Sequence, residues 1–368
     1  MESSRRTFMG SLSGMALLSL LGRRGRELFP VESSALADPA PGPSPALGYV
    51  PVQALGVPTL PYVMSQGAKE FRLEATPVFS TLPDGSDPMM MRRRPVNLMG
   101  YNQSMIGPTI EAIEGDRVRV VFTNRLSEPT TVHFHGIELP IEMDGVPGFS
   151  QDVVQPGGQF IYEFTVDRAG TFFYHPHFNA MKQIGLGMMG FFVVHPRSLL
   201  PELKVDRDYA FMLHTLKLDP GSPNPDIMEM SEFNYYLMNG RVGEGEGSSF
   251  GIPPMKARVG ERVRIRVTNL SMLTHPLHLH GHTFGVSDWG GGYLPQSQWI
   301  KANTINVSAA EVRTLEFVAR AQGKWMFHCH FTHHIMNDMH RPTMPGDPTM
   351  GNMPAMEMGG MSTWIEVT

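Results

Sequence analysis

The sequence predicts an all-β protein made of two β-sandwich domains, and three observations predict it. The first is an internal duplication. Residues 115–136, GDRVRVVFTNRLSEPTTVHFHG, align without a gap with residues 260–281, GERVRIRVTNLSMLTHPLHLHG. Residues 170–178, GTFFYHPHF, align in the same way with residues 323–331, GKWMFHCHF. The second observation is periodicity. Val118, Val120 and Phe122 alternate with Arg117, Arg119 and Val121; Val263, Ile265 and Val267 alternate with Arg262, Arg264 and Arg266. Period-two alternation marks strands with one face in a core. The third is punctuation: 38 glycines and 31 prolines in 368 residues suit many short strands separated by turns, which argues for sandwiches.

Taken in order, the chain begins with Ser4-Arg5-Arg6-Thr7-Phe8-Met9-Gly10 and an apolar run to Leu21. This reads as a twin-arginine export signal over residues 1–37, with Ala35-Leu36-Ala37 fitting a small-x-small cleavage site. The apolar run is short for a bilayer span. The expected location is periplasmic or secreted, with no membrane partner. Residues 38–60 are rich in Pro and Ala and read as a linker or extended arm. The two domains are expected over residues 61–200 and 205–368. Composition is that of a globular protein, 41% hydrophobic and 18% charged with a net charge of −5. No basic cluster with interleaved aromatics is present, so nucleic acid is not an expected partner.

The chemistry is carried by histidines in H-x-H pairs and by one cysteine. His133 and His135 stand where the second copy has His278 and His280, and His175 and His177 where it has His328 and His330. On a strand, residues i and i+2 point to one side, so each pair can offer two imidazoles to one metal cluster. Cys329 is the only cysteine. His328 and His330 flank it, His334 lies five positions on, and Met339 lies ten positions on. Two imidazoles, a thiolate and a weak thioether make a mononuclear blue-copper electron-transfer site, with His275 in THPLHLHGH as the second imidazole. The first copy lacks this site: Thr130, Pro176, Met181 and Leu186 occupy the positions of His275, Cys329, His334 and Met339.

HFHG, HPHF, HPLHLHGH and HCHFTHHIMNDM, in this order, resemble the four copper-binding signatures of the multicopper oxidases. The resemblance covers residues 95–340 and the final strand, and it is closest to the two-domain laccase-like type with type-1 copper in the second domain. It implies two cupredoxin-like Greek-key domains and four coppers per chain: one type-1, one type-2 and two type-3. By position, His275, Cys329, His334 and axial Met339 would hold the type-1 copper. His133 and His278 would hold the type-2 copper. His135, His175, His177, His280, His328 and His330 would hold the type-3 pair. The resemblance further implies that a reductant delivers single electrons beside His334, that they pass through Cys329, and that dioxygen is reduced to water by four of them. Asp144, in EMDGVPG, stands where the family often carries an acid near the cluster, although Asp-Gly is also an ordinary turn pair.

Two departures shape the functional expectation. Familiar members have three such domains, whereas this chain has two, with cluster ligands split four and four. The expected partner is therefore a second copy of the chain, in a homotrimer whose clusters form between subunits. In addition, residues 336–361 contain Met336, Met339, Met344, Met350, Met353, Met356, Met358 and Met361. Thioethers suit Cu(I), and the closing segment 362–368 makes this stretch an insertion. The leading expectation is a laccase-like oxidase of phenols or aromatic amines. The alternative is an oxidase of cuprous or other metal ions in copper tolerance. A copper nitrite reductase and a non-enzymatic copper carrier fit less well. His282 is expected to support a ligand without being one, and His333 to lie at the substrate edge.

Overall fold

The computed structural model describes residues 49–83, 93–243, 251–335 and 360–368. The twin-arginine stretch, most of the proline-rich segment, Met339 and nearly all of the methionine-rich segment lie outside the described residues. The first half holds strands β2 (Tyr62–Ser65), β3 (Ala68–Pro83), β4 (Arg93–Tyr101), β5 (Ile106–Ile113), β6 (Asp116–Asn124), β7 (His133–His135), β8 (Gln159–Val166), β9 (Gly170–His175) and β10 (Met189–His195). They form a β2-β3-β6-β8 sheet, with β4 on β3, facing a β5-β10-β9-β7 sheet.

The second half holds β11 (Arg207–Leu216), β12 (Tyr235–Met238), β13 (Met255–Ala257), β14 (Arg262–Asn269), β15 (His275–Leu279), β16 (Phe284–Asp288), β17 (Ile300–Ala302), β18 (Thr304–Val307), β19 (Glu311–Val318), β20 (Gly323–Cys329) and β21 (Ser362–Val367). The pairings of the first half recur. β3 runs parallel to β6 and β6 antiparallel to β8; β11 runs parallel to β14 and β14 antiparallel to β19. β5 and β10 are parallel, as are β13 and β21. β10-β9-β7 and β21-β20-β15 are both antiparallel ladders. The duplication in the sequence is thus a duplication of topology, and each half is a cupredoxin-like sandwich.

Each sandwich has its own core. Phe71, Val118, Val120, Phe122, Phe134, Tyr174 and Phe192 are among the residues filling the first. Phe211, Val263, Ile265, Leu277, Phe327 and Ile365 help fill the second. A third cluster joins the halves: Phe173, Met189, Phe191 and Val193 pack with Ala210, Met212 and Leu237. β9 and β10 are therefore buried on both faces, alternate residues going to different cores, and they read as continuous apolar runs without alternation. Polar groups also cross this junction. Arg266 Nη1 donates to Thr171 Oγ1 at 2.6 Å, and the Thr171 N–H donates to Asp288 Oδ2 at 3.0 Å.

The described end of the proline-rich segment is an arm laid over both halves. β1 (Gln53–Ala54) pairs in parallel with β11. The Leu60 N–H donates to Thr109 O at 2.8 Å, and Tyr49 stacks on His195 with centroids 4.8 Å apart. Toward the other end, β21 pairs with β20 and β13 and so joins the sheet that carries Cys329. Among the described residues, no helix is long and apolar enough to cross a membrane.

Candidate metal centres

Strand pairing assembles the histidines. In the first half, His133 on β7 lies opposite His175 on β9. In the second, His278 on β15 lies opposite His328 on β20. Residues of the other parity, Phe134 and Tyr174, or Leu277 and Phe327, point into the cores. The imidazoles therefore share the opposite face of their sheet. Gly136 and Gly281 follow the two H-x-H pairs at matching positions with φ of 86° and 67°. A side chain at 281 would strike the Trp325 ring at 2.3 Å, so glycine turns the chain away from the ligands here.

In the first quartet, the ligand atoms of His133, His135 and His175 all lie within 4.8 Å of one another. Backbone carbonyls engage one nitrogen of two rings. His133 Nδ1 lies 2.7 Å from Asp144 O, and His175 Nδ1 lies 2.9 Å from Pro176 O. The second quartet repeats the device: His278 Nδ1 meets Asn303 O at 2.8 Å and Thr304 Oγ1 at 2.9 Å, and His328 Nδ1 meets Cys329 O at 2.8 Å. A carbonyl fixes a proton on Nδ1 and leaves Nε2 as the metal-facing lone pair. In keeping with that, His280 Nε2 and His328 Nε2 converge to 3.1 Å. Burial pushes the imidazolium form of His175 down to about 3 and that of His135 to about 4, with the neighbouring histidines adding to it. Neutral rings are what a metal needs.

Asp144 lies beside His133. Its Oδ1 is 3.3 Å from His133 Nδ1. Gly145, at φ 79°, makes the turn, because a Cβ there would stand 1.9 Å from Val132 O.

The quartets do not meet within the chain. Ring contacts join His133, His135, His175 and His177 to one another, and His278, His280, His328 and His330 to one another. Among the described residues none joins the two sets. His177, His280 and His330 are exposed, so each quartet is open to solvent on one side.

The mononuclear set is brought together in the second half. His275 Nδ1 and His334 Nδ1 are 3.1 Å apart, and Cys329 Sγ lies 3.7 Å from the first and 3.3 Å from the second. These spacings suit one ion bonded to all three at about 2.0–2.3 Å. All three residues are buried. Burial pushes the imidazolium forms of His275 and His334 down to about 3 and about 4, and the Cys329 thiol up to about 12. The rings are thus ready acceptors, and a metal would have to displace the thiol proton. Donor type and spacing both fit copper.

Several residues in this centre carry no motif signal. Asn269 Nδ2 donates to the carbonyls of Leu273 and Val307 and so shapes the loop leading into His275. Asn124 does the same in the first half, with Glu128 and Val154. Ser271 Oγ lies 2.7 Å from His275 Nε2. The Tyr236 ring stacks on His334 at 4.3 Å. His333 is exposed and packs against His334, and His282 Nδ1 meets the His280 carbonyl at 3.0 Å. In the first half, a hydrogen-bond network fills the place of the mononuclear site. Thr130 Oγ1 donates to Gln183 Oε1 at 2.8 Å, Gln183 Nε2 donates to Glu128 Oε1 at 2.9 Å, and Lys182 pairs with Glu128.

Two family models described as multicopper oxidase match residues 86–199 and 219–347, together well over half of the chain. The chain belongs to the multicopper oxidases. Among curated members of this and related groups, it is 29% identical over 256 residues to a probable nitrite reductase-hydroxylamine oxidoreductase fusion protein of Kuenenia stuttgartiensis, covering 66% of this chain and 28% of that protein. It is 35% identical over 145 residues to copper resistance protein A of Pseudomonas syringae pv. tomato, covering 38% and 23%. It is 31% identical over 200 residues to laccase-1 of Cryptococcus neoformans var. neoformans, covering 48% and 31%. The chain therefore spans under a third of the length of these three relatives. The blue copper oxidase of Nitrosomonas europaea superposes with a TM-score of 0.67 at 28% identity, covering 81% of this chain and 85% of that one. As a multicopper oxidase, the chain has two sandwiches that correspond to the two matched models, one to each half.

Proposed function

We propose that this multicopper oxidase couples one-electron oxidation of a phenol or aromatic amine to the reduction of dioxygen to water, and that it is exported by the twin-arginine route to the periplasm or beyond. One observation carries the reading. The buried His275–Cys329–His334 set is joined through the backbone of Cys329 to His328 and His330, which belong to a histidine quartet. Copper, when bound, would supply one-electron chemistry at the first set and four-electron chemistry toward dioxygen at the histidine clusters; four ions per chain are proposed, with Met339 as a further residue that would help hold the first. The chain's own residues do the rest. Cys329 and His334 form the covalent and packed path from the outer edge of the centre to the quartet. His133 and His278 keep their Nε2 atoms free through carbonyl contacts at Nδ1. Asp144 places a carboxylate oxygen 3.3 Å from His133 Nδ1.

The open quartets support a homotrimer in which the first half of one subunit closes on the second half of the next. Light scattering tests this: a monomer with full copper content and activity overturns it.

A cuprous oxidase is the second reading, favoured by similarity to copper resistance protein A and by the methionine-rich segment. Deleting residues 343–358 would then abolish oxidation of Cu(I) and spare that of phenols. A nitrite reductase needs no eight-histidine set, and a copper carrier needs no such pairing. Copper analysis with electron paramagnetic resonance and visible absorption tests the main reading. Four coppers and an intense blue band are expected, and Cys329→Ser should remove the band while keeping histidine-bound copper. A colourless, copper-loaded wild type that consumes no oxygen overturns it.

A further inference from the structure

One face of β9 passes through three settings in succession. Thr171, Phe173 and His175 are alternate residues of this strand and so share that face. Thr171 accepts from Arg266 Nη1 at 2.6 Å. Phe173 lies in the core between the halves, and His175 belongs to the first quartet. The junction therefore runs along β9 up to the metal ligands.

Phe173 stands directly opposite His135 in the antiparallel pairing of β9 with β7. Opposite residues of such a pair have Cβ atoms about 4.5–5.5 Å apart on one face of the sheet. Here the two rings lie flat on each other, with centroids 4.2 Å apart and 19° between their planes. Phe173 also flanks His175, at 5.8 Å and 27°. It is 1% exposed. Hydrogen bonding does less for His135 than for its neighbours. His133 Nδ1 and His175 Nδ1 each meet a backbone carbonyl. Among the described residues no carbonyl meets a ring nitrogen of His135, whose Nδ1 lies 3.5 Å from His175 Nε2. His135 also borders a cavity of about 150 Å³, with Trp289 and Arg313 of the second half among its other walls. Space beside the ring leaves the stack on Phe173 to fix its plane.

The duplicate half lacks this support. Met326 occupies the position that matches Phe173, and the N–H of His280, the counterpart of His135, donates to the Met326 carbonyl at 2.9 Å. Met326 is half-buried and His280 is exposed. A flexible thioether does not hold a ring plane as a flat aromatic face does.

We propose that Phe173 is a positioning residue for the first quartet: through its ring, packing between the halves holds His135 in place and sets how tightly that quartet retains copper. This rests on the reading of the quartets as copper sites and names what pre-organises one of them. A ligand already fixed by its surroundings need not be ordered when the metal enters.

The test dialyses the copper-loaded full chain against graded EDTA. Blue absorbance reports the Cys329 centre, and total copper beyond it reports the histidine clusters. Two volume-conserving variants are compared. Phe173→Met copies the residue of the second half. Phe191→Met makes the same change elsewhere in the same core, at a fully buried ring that contacts no histidine ring among the described residues. Phe173→Met should lose histidine-bound copper at about tenfold lower EDTA, the usual cost of removing support from a ligand, with the blue band unchanged. The electron paramagnetic resonance of its remaining histidine-bound copper should also change. Phe191→Met should do neither, whatever each variant does to the melting of metal-free protein. If Phe173→Met fails to fold, Phe173→Leu against Phe191→Leu gives the same comparison. Variants at 173 and 191 that retain copper alike overturn the proposal and leave the quartets as copper sites. A wild type that holds copper at the Cys329 centre alone overturns the reading on which the proposal rests.

Discussion

Nε2 of His275 lies 2.7 Å from the hydroxyl of Ser271, on the far side of the ring from Cys329. With Nδ1 facing the thiol and His334, the hydroxyl accepts the Nε2 proton and holds both tautomer and ring angle. Ser271→Ala should leave the protein folded and loosen that ring. The expected result is weaker copper retention by about tenfold, with a change in the position or intensity of the blue band. Metal titration and visible spectra check it. An unchanged spectrum and affinity would mean that Ser271 serves the loop alone, through its contacts with Asn269 and Leu273.

Asp144 offers two things to His133: a backbone carbonyl at 2.7 Å and a carboxylate oxygen at 3.3 Å. Asp144→Asn keeps the first and removes the acid. Copper content should therefore hold while turnover falls by about a hundredfold, the lower end of the range for loss of a proton-transfer group. A loss of copper in step with activity would assign Asp144 to ligand support instead.

The clustering of the histidines was legible because an H-x-H pair on a strand has one geometric consequence, and the two halves of the chain repeat it. The topology was legible for the same reason, since Val118, Val120 and Phe122 and their partners show one buried face. Less was legible where burial falls on both faces. Phe173 and Phe191 belong to the junction, and Phe172 and Phe192 to a core, but an unbroken apolar run does not say which goes where. Gln183 and Thr130 were unreadable because their meaning lies in a contact 53 residues apart.

Acid should destabilise the copper-free protein. Burial holds the imidazolium forms of His175 and His275 near 3 and those of His135, His214 and His334 near 4. The unfolded chain takes up these protons near pH 6.5 and so binds more of them than the folded state below that pH. Stability then rises with pH. It is fully present above about 6.5 and is lost as pH falls toward 4 and 3, at up to about 1.4 kcal/mol per pH unit for each histidine. Copper loading should be lost in the same window, because protons compete for the same nitrogens. Calorimetric melting of metal-free protein at pH 7.5, 6 and 5 checks the sign; a melting temperature that rises on acidification contradicts it.

Arg266 is fully buried and forks onto Asp208, with Nε to Oδ1 and Nη2 to Oδ2 both at 2.8 Å. Its Nη2 also reaches Tyr293 Oη at 2.8 Å, and its Nη1 reaches Thr171 on β9. Asp208 is held below the usual carboxylate range by Arg266 and Arg264, despite its burial. A buried pair contributes little net stability when whole, but removing one partner strands a charge and costs about 3–5 kcal/mol. Arg266→Met should therefore destabilise severely, and Arg266→Met with Asp208→Leu much less so. Thr171 sits four residues before His175 on the strand that carries the first quartet. The double variant should then melt near the wild type yet bind copper less well at the histidine clusters, with the blue band intact. Urea unfolding and copper analysis separate the two effects: equal damage in the single and double variants would show that the charge pair, and not the stranded charge, supplies the stability.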